Sequence, residues 1–510
     1  MRKPAFSTIL LGGIVLFTGM AAAAVVRHVP GDYTTIQAAI NDSNSGDVVI
    51  VAPGIYREEI DFLGKNITVT SINPSDSQIV KNTIIEGSSN PSYYQAVIFV
   101  GTENESCTLT GFNIKEPVSG NHTQATINHC LLEGTRTSCG TIIVDFDGRI
   151  SNCLIGPPLI MMQCFYPGYT LFECHGMIEN CTIIGSAQIG AGASATIQNC
   201  IFYNDSALSK PIKLLSGAIL NIRYSDFYES TDPIELKDSN CVVNWGPGNI
   251  NLDPCFAQLG VRDLNEPITY YPGDFHLKSQ AGRWDPNSQS WVTDASTSPC
   301  IDGGNPGCPL GDEPSDANNV RINMGAYGGT AEASKTPADW RSIADLTNDW
   351  AVDFNDLGVF VSYWLDSGEC IPSDLNRNKD VNFVDYAIFA RQLPQTPPLN
   401  QAPAPVVWEV APYETGSGDN AYAHMTAQVA IDPEGSGVEY YFQCIEFPGI
   451  FSGTCGAEAV GYSSGWQASP QWDVCIGNAG QGLRFRFKVR DTSPELKESN
   501  WSTTRYCYPP

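Results

Sequence analysis

Five segments of the chain align without a gap: ATINHCLLEG (125–134), GRISNCLIGP (148–157), GMIENCTIIG (176–185), ATIQNCIFYN (195–204) and LNIRYSDFYE (220–229). Their shared isoleucines, Ile127, Ile150, Ile178, Ile197 and Ile222, recur at intervals of 19 to 28 residues. A unit this short cannot bury its own apolar edge and must stack on neighbours of the same kind. The units are rich in β-branched residues, are punctuated by Gly or Asn, and show no helical period. The pattern predicts a mainly-β solenoid, a parallel β-helix, whose rungs each turn Ile, Cys and the next apolar residue inward.

The Asn before Cys (Asn152, Asn180, Asn199) suits a left-handed bend at the corner of the rung. Cys130, Cys153, Cys181 and Cys200 then stack as an internal ladder. Such a ladder reads either as disulfides or a metal site, or as small buried hydrophobes at one repeated position. One inward sulfur per rung, and Ser225 in place of Cys in the last aligned rung, favour packing. His129 stands where other rungs carry Asn, and reads as a satisfied turn histidine.

The stretch VPGDYTTIQAAINDSNSGDVVIVAPGIYREEIDFLGKNITVTS predicts a short helix over 35–41 that plugs the first coil and shields its edge. This stretch resembles the start of pectin lyase-like right-handed β-helix proteins. The later GDFHLKSQAGRWDPNSQSWVTDASTSPCIDGGNPG and RINMGAYGGTAEASK resemble the tail of secreted bacterial proteins of that class. The resemblance implies a right-handed parallel β-helix over 25–337. It implies no single reaction, because lyases, esterases, glycosidases and non-enzymatic surface proteins share the fold.

Cleaving a polyuronide by elimination needs a base and a cation facing the substrate carboxylate; hydrolysis needs two placed carboxylates. The Arg-x-Pro-x-x-Arg motif of pectate lyases is missing, as are the Asn-Thr-Asp, Asp-Asp and Arg-x-Lys set of polygalacturonases. TIIVDFDGRI (141–150) is similar to a Val-Asp-Phe stretch of pectin methylesterases, without their Gln-Asp-Thr and Gly-Arg-Pro-Trp motifs. The rung register turns Arg149, Ser151, Glu179, Gln198 and Arg223 outward, with Asp145, Asp147, Glu173 and His175 just upstream of their rungs. Arg149, Glu179 and Arg223 are the candidate catalytic or glycan-binding stripe; the alternative is an ordinary solvated face.

Beyond Lys335 the repeat ends. Residues 345–356 read DLTNDWAVDFND and residues 374–385 read DLNRNKDVNFVD, 29 residues apart. The first offers Asp345, Thr347, Asp349, the Ala351 carbonyl, Asp353 and Asp356 at the spacing of an EF-hand loop. The second offers Asp374, Asn376, Asn378, the Asp380 carbonyl, Asn382 and Asp385. Calcium is the ion such an oxygen set suits, and an apolar helix follows each loop. The duplication over 338–394 resembles a dockerin module, which implies calcium binding and a cohesin-like protein partner. Two departures matter. Trp350 and Lys379 occupy the sixth position, where glycine is usual; at positive φ each is penalised by about 1 kcal/mol. Phe354–Asn355 and Phe383–Val384 replace the small hydroxyl residues that cellulosomal dockerins use to bind cohesins, and an alternative use for the phenylalanines is packing the two halves together. Loop 1 carries four ligand-position carboxylates against Asp374 and Asp385 in loop 2, so loop 1 is expected to bind calcium more tightly.

QTPPLNQAPAP (395–405) reads as an extended Pro-rich linker, and residues 406–510 as a β-sandwich resembling fibronectin III or immunoglobulin-like modules. Cys444, Cys455, Cys475 and Cys507 are expected to form two disulfides, with the pairing open. Trp408, Trp466, Trp472 and Trp501 serve either sugar stacking or strand packing, with packing favoured. At the other end, MRKPAFSTILLGGIVLFTGMAAAAVV predicts a signal peptide over 1–24 and hence export from a bacterial cell. No later stretch approaches the roughly 20 apolar residues of a membrane span. The balance of 28 Lys+Arg against 55 Asp+Glu, a net charge of −27, disfavours nucleic acid and suits divalent cations. Seventeen cysteines in an exported chain imply some disulfides and at least one unpaired thiol. Two principal functions follow: a polysaccharide- or glycan-binding display protein that docks through calcium loops, or a polysaccharide-degrading enzyme such as a uronide lyase. A structural surface-layer role is the third.

Overall fold

Short parallel strands stack in three sheets, one strand of each sheet per coil. The computed structural model describes residues 23–87, 95–133, 142–156, 171–203, 210–228, 230, 232–259, 261–262, 270–271, 273–315, 318–393, 402–415, 421–433, 436–446, 463–475, 483–492 and 496–507. The expected signal peptide up to residue 22, linker residues 395–401 and Cys455 lie outside these. One sheet has ten strands, from Val26–Val29 to Val242–Trp245, and the other two have eight each. The aligned isoleucines are direct cross-strand partners: Ile127 pairs with Ile150, Ile150 with Ile178, Ile178 with Ile197, and Ile197 with Ile222. All are buried in one continuous core, as the parallel β-helix expectation requires.

The corner residues take the left-handed conformation that the Asn pattern suggests. His129, Asn152, Asn180, Asn199 and Tyr224 have φ of 50°, 51°, 47°, 55° and 49°. Just inside the bend, Cys130, Cys153, Cys181 and Cys200 are buried free thiols, and burial pushes those of Cys153 and Cys200 up. They fill space as small hydrophobes. A helix, Ile36–Asp42, covers the first coil with Ile36, Ala39 and Ile40 facing the core, and the Thr35 hydroxyl caps it by accepting from the Ala38 N–H at 3.1 Å.

Within residues 25–337 the coils run only to Trp245, and the chain then returns along the outside of the solenoid. The corner asparagines receive it. Asn152 Nδ2 donates to the carbonyl of Gly328 at 2.5 Å, Asn180 Nδ2 donates to the same carbonyl at 3.3 Å, and Asn199 Oδ1 accepts from the Asn305 N–H at 2.8 Å. Phe256, Phe275, Leu277, Cys300 and Met324 cover Ile184, Ile201 and Tyr224 on the outer face. The sequence pattern predicts the inward half of each rung; the outer apolar residues belong to this second layer.

The helices Phe354–Ser362 and Phe383–Gln392 follow the two acidic loops. Their core keeps the 29-residue repeat: Leu346 with Leu375, Val352 with Val381, and Phe360 with Phe389 are all buried together. Finally, an antiparallel three-stranded sheet and an antiparallel four-stranded sheet pack as a sandwich. Its strand Leu483–Asp491 alternates buried and half-buried along its length. Trp408 and Trp472 pack against this core, while Trp466 and Trp501 stack with Arg490 at 4.2 Å and Arg486 at 3.9 Å, respectively. The expectation of two disulfides here is corrected: Cys507 is a free thiol, pushed up to about 12 by burial, and it fills the sandwich core beside Cys444.

Candidate functional site

The two acidic loops share one hydrogen-bond scaffold. In loop 1 the N–H groups of Asp349 and Trp350 donate to the two oxygens of Asp345 at 3.1 Å each. Those of Thr347 and Asp353 donate to the two oxygens of Asp356 at 2.9 Å each. Loop 2 repeats all four bonds 29 residues later: Asn378 and Lys379 onto Asp374, and Asn376 and Asn382 onto Asp385. Trp350 and Lys379 sit at φ 73° and 75°, so both accept the strained sixth-position turn in place of glycine.

The first and twelfth residues of each loop are buried: Asp345 and Asp356, Asp374 and Asp385. Asp353 and Asn382 cap the helices that follow, and Asp356 and Asp385 close the capping boxes. In loop 1, Asp345, Asp349 and Asp356 bring one carboxylate oxygen each within 4.8 Å of one another. Partial desolvation, reinforced by these neighbouring charges, raises Asp349, whose side chain still reaches solvent, and buried Asp356; burial likewise raises Asp374 in loop 2. Convergent, partly desolvated carboxylates fit a hard divalent cation. Thr347, Asn376, Asn378 and Asn382 stand at the remaining side-chain ligand positions, and Ala351 and Asp380 at the seventh, where a carbonyl is used. The Asp380 carboxylate turns away to accept from Ser367 Oγ at 2.7 Å.

Sequence reasoning missed the arginines around these loops. Arg341 Nη1 lies 2.8 Å from Asp345 Oδ2, both side chains buried, and its guanidinium stacks 3.9 Å from the Trp350 ring. Arg321, wholly buried and lowered to about 10 by desolvation, donates to the Asp345 carbonyl at 2.6 Å, the Gly304 carbonyl at 2.7 Å and Asn348 Oδ1 at 2.8 Å. Arg377 donates from Nε to the Pro306 carbonyl at 3.0 Å, and Cys308 is disulfide-bonded to Cys370. The module is therefore fastened to the return segment at both loops. The RINMGAYGG stretch containing Arg321 carries the only sequence signal of this.

The alternative use of the two phenylalanines fails for Phe354 and is met by Phe383 only along one ring edge. Phe354 is 87% and Phe383 77% exposed, although Phe383 meets Trp364 edge-on at 5.0 Å. Phe360 and Phe389, with ring centroids 5.3 Å apart, pack the halves together instead. Val361, Leu365, Val384 and Tyr386 are exposed beside them on the same helices and loops.

On the solenoid, Ser151, Glu179, Gln198 and Arg223 occupy one register column, with Arg149 reaching into it diagonally. Arg149 pairs with Glu179 Oε1, Gln198 Nε2 donates to Glu179 Oε2 at 3.0 Å, and Arg223 Nε donates to Gln198 Oε1 at 3.0 Å. The three predicted residues are thus brought together as one hydrogen-bonded chain. Both Glu179 oxygens are engaged within it, an arrangement suited to tying coils together. A cavity of about 180 Å³ lies beneath the return segment, lined by Lys81, His129, Glu133, Asp274, Tyr327 and Glu332. It is smaller than the roughly 300–1,000 Å³ of a typical ligand pocket.

The family described as "Disaggregatase related" matches residues 228–304, the last coil and the start of the return segment. No curated protein matches the chain. Among solved structures, the chain is similar to a pectin methylesterase from carrot, at 14% identity and TM-score 0.30, over 46% of this chain and 83% of that one. A pectin methylesterase in complex with a hexasaccharide matches at 10% identity and TM-score 0.29, over 49% and 85%. A nucleoside hydrolase-related hypothetical protein from Saccharophagus degradans, associated with carbohydrate metabolism, matches at 11% identity and TM-score 0.17, over 60% and 73%.

Proposed function

We propose that this chain is an exported display protein. Its β-helix holds polysaccharide or cell-surface glycan, and its calcium-loaded paired loops dock on a protein partner of the cohesin kind. The observation that carries the docking half is the twin presentation of Phe354 and Phe383, at the same position of two matched loops and largely exposed. Large aromatics on a rigid support make an effective docking surface. Rigidity comes from Arg321, Arg377 and the Cys308–Cys370 disulfide, and that disulfide also fits the oxidising compartment an exported protein meets. Among the described residues no helix is long and apolar enough to cross a membrane, which fits anchoring by a partner. The glycan half rests on the sequence resemblance of residues 25–337 to pectin lyase-like proteins. The closed Arg149–Glu179–Gln198–Arg223 chain favours binding over elimination, since Glu179 is buried and ion-paired to Arg149, which makes it a poor proton acceptor for a substrate.

The test has two arms. In affinity electrophoresis through a panel of polyuronides the protein is expected to be retarded, with no growth of the unsaturated-product absorbance; growth of that band means a lyase instead. In biolayer interferometry against a cohesin panel, binding is expected with calcium, not with EGTA, and is expected to fall at least about tenfold, roughly 1.4 kcal/mol, in Phe354→Ala/Phe383→Ala. Binding indifferent to both changes would remove the docking half.

A further inference from the structure

Three side chains outside the calcium loops and the polar stripe converge at one corner of the solenoid. His122 is the penultimate residue of the strand Val118–Thr123, Asp147 follows the strand Ile143–Phe146, and His175 precedes the strand Gly176–Glu179. They belong to three successive coils held in register, with the Asp147 N–H on the Thr123 carbonyl at 3.1 Å and the His175 N–H on the Phe146 carbonyl at 2.7 Å. Both histidines lean onto the middle coil. His122 Nδ1 is 3.2 Å and His175 Nδ1 2.9 Å from the same oxygen, Asp147 Oδ1. The rings lie nearly parallel, 17° apart in plane, with centroids 5.9 Å apart.

The three donor atoms lie within 4.8 Å of one another, close enough to share a metal ion. Donors bound about 2.0–2.1 Å from a tetrahedral ion stand about 3.3 Å from each other. The corner also has a shape that positions the inner ring. A Cβ at position 190 would fall 2.4 Å from His175 Nε2, so the bare Gly190 backbone makes room for the imidazole. His175 Nε2 itself is buried with no hydrogen-bond partner among the described residues, so only the Nδ1 edge has a polar neighbour. The field is negative: Asp147, by its hydrogen bond and charge, and then Asp145 and Glu173 raise the affinity of His122 for a proton, and a cation at the corner gains from the same charges. His122 is exposed, leaving one side of the cluster open to solvent.

We propose that His122, Asp147 and His175 form a binding site for a divalent transition metal of the zinc class, with a fourth position open outward. Two imidazoles and one carboxylate are donors for zinc, cobalt, nickel or iron, whereas calcium and magnesium prefer all-oxygen sets. The site is therefore chemically distinct from the loops at 345–356 and 374–385. The bland alternative, a carboxylate shared by two histidines with no affinity for metal, has the same hydrogen bonds and is separated from it only by titration.

The experiment uses the untagged protein saturated with calcium, titrated with zinc by calorimetry and with cobalt by absorption spectroscopy. One equivalent of zinc is expected, with visible cobalt d–d bands and no thiolate charge-transfer band, which excludes the cysteine ladder as the ligand. His122→Ala, on the exposed side, is expected to keep the fold, checked by circular dichroism, and to weaken zinc at least about tenfold. His175→Ala tests the buried ligand, with His424→Ala, at a distant His–Asp pair in the sandwich, as a control expected to leave zinc affinity unchanged. The proposal is overturned by no zinc binding, by zinc affinity unchanged in folded His122→Ala, or by a thiolate band with cobalt.

Discussion

The two acidic loops share a backbone scaffold and differ in their surroundings. Loop 1 faces the protein: its Asp345 is salt-bridged to buried Arg341, and its Asn348 Nδ2 donates to the carbonyls of Gly248 and Gly303 at 2.7 Å each. Loop 2 reaches the return segment through Arg377 and turns its Lys379 to solvent, paired with an equally exposed Glu369. One hydrogen-bond pattern thus serves as a structural clamp at one site and a more independent loop at the other. The difference teaches that a ligand motif specifies the turn, while neighbours decide how much of the fold depends on it.

The largest expected effect follows from that dependence. Asp345→Ala leaves the Arg341 guanidinium buried without its carboxylate, which is expected to cost about 3–5 kcal/mol. The matching change, Asp374→Ala, removes an acceptor from the N–H groups of Asn378 and Lys379 but strands no buried charge, and is expected to cost about 1–3 kcal/mol. Urea unfolding of both variants in EGTA measures this without the metal. Equal costs would show that loop 1 is no more a clamp than loop 2.

How far the sequence speaks follows the same division. Local and periodic features were legible: Ile127 through Ile222 pair as aligned, the corner asparagines take positive φ, and the first helix lies within one residue of its expected bounds. These depend on near neighbours or on a repeat that amplifies a weak signal. Non-repeating contacts were not legible. The return segment, Arg321 under loop 1 and Cys308 bonded to Cys370 join residues tens to more than a hundred positions apart, and each occurs once. Candidate site residues divide likewise. The spacing of Asp345 to Asp356 announces a loop by itself, whereas His122, Asp147 and His175 converge only because three coils of unequal length bring their corners together.

The two loops are also expected to differ in calcium affinity. Loop 1 converges three carboxylates where loop 2 offers Asp374 and Asp385 with neutral amides between. Calorimetric titration is expected to resolve two sites, the tighter one weakened in Asp349→Asn. That substitution should weaken loop 1 about tenfold, and Asn378→Asp should tighten loop 2 by a similar factor, since ligand charge count tunes such loops. Arg341 opposes this ranking by neutralising part of loop 1, so a tighter loop 2 in the unmodified chain would mean that the buried guanidinium outweighs the extra carboxylate.

The smallest effect probes the sixth position, where the loops share strain but not contacts. Lys379 is strained at φ 75° and its ion pair with Glu369 is exposed at both ends, where water and salt screen it. Lys379→Gly relieves a left-handed penalty of about 1–2 kcal/mol while adding chain entropy to the unfolded state, so a net gain of up to about 1 kcal/mol is expected. Trp350 has the same backbone strain at φ 73°, but its ring lies under Arg341 at 3.9 Å and edge-on to Trp340 at 4.7 Å. A buried cation–π contact and an aromatic pair together contribute about 1–3 kcal/mol, enough to cancel or reverse the glycine's advantage. Thermal melts in calcium should therefore move upward for Lys379→Gly and stay level or fall for Trp350→Gly. A rise in both would reduce the two loops to the same turn, with the packing around Trp350 contributing little.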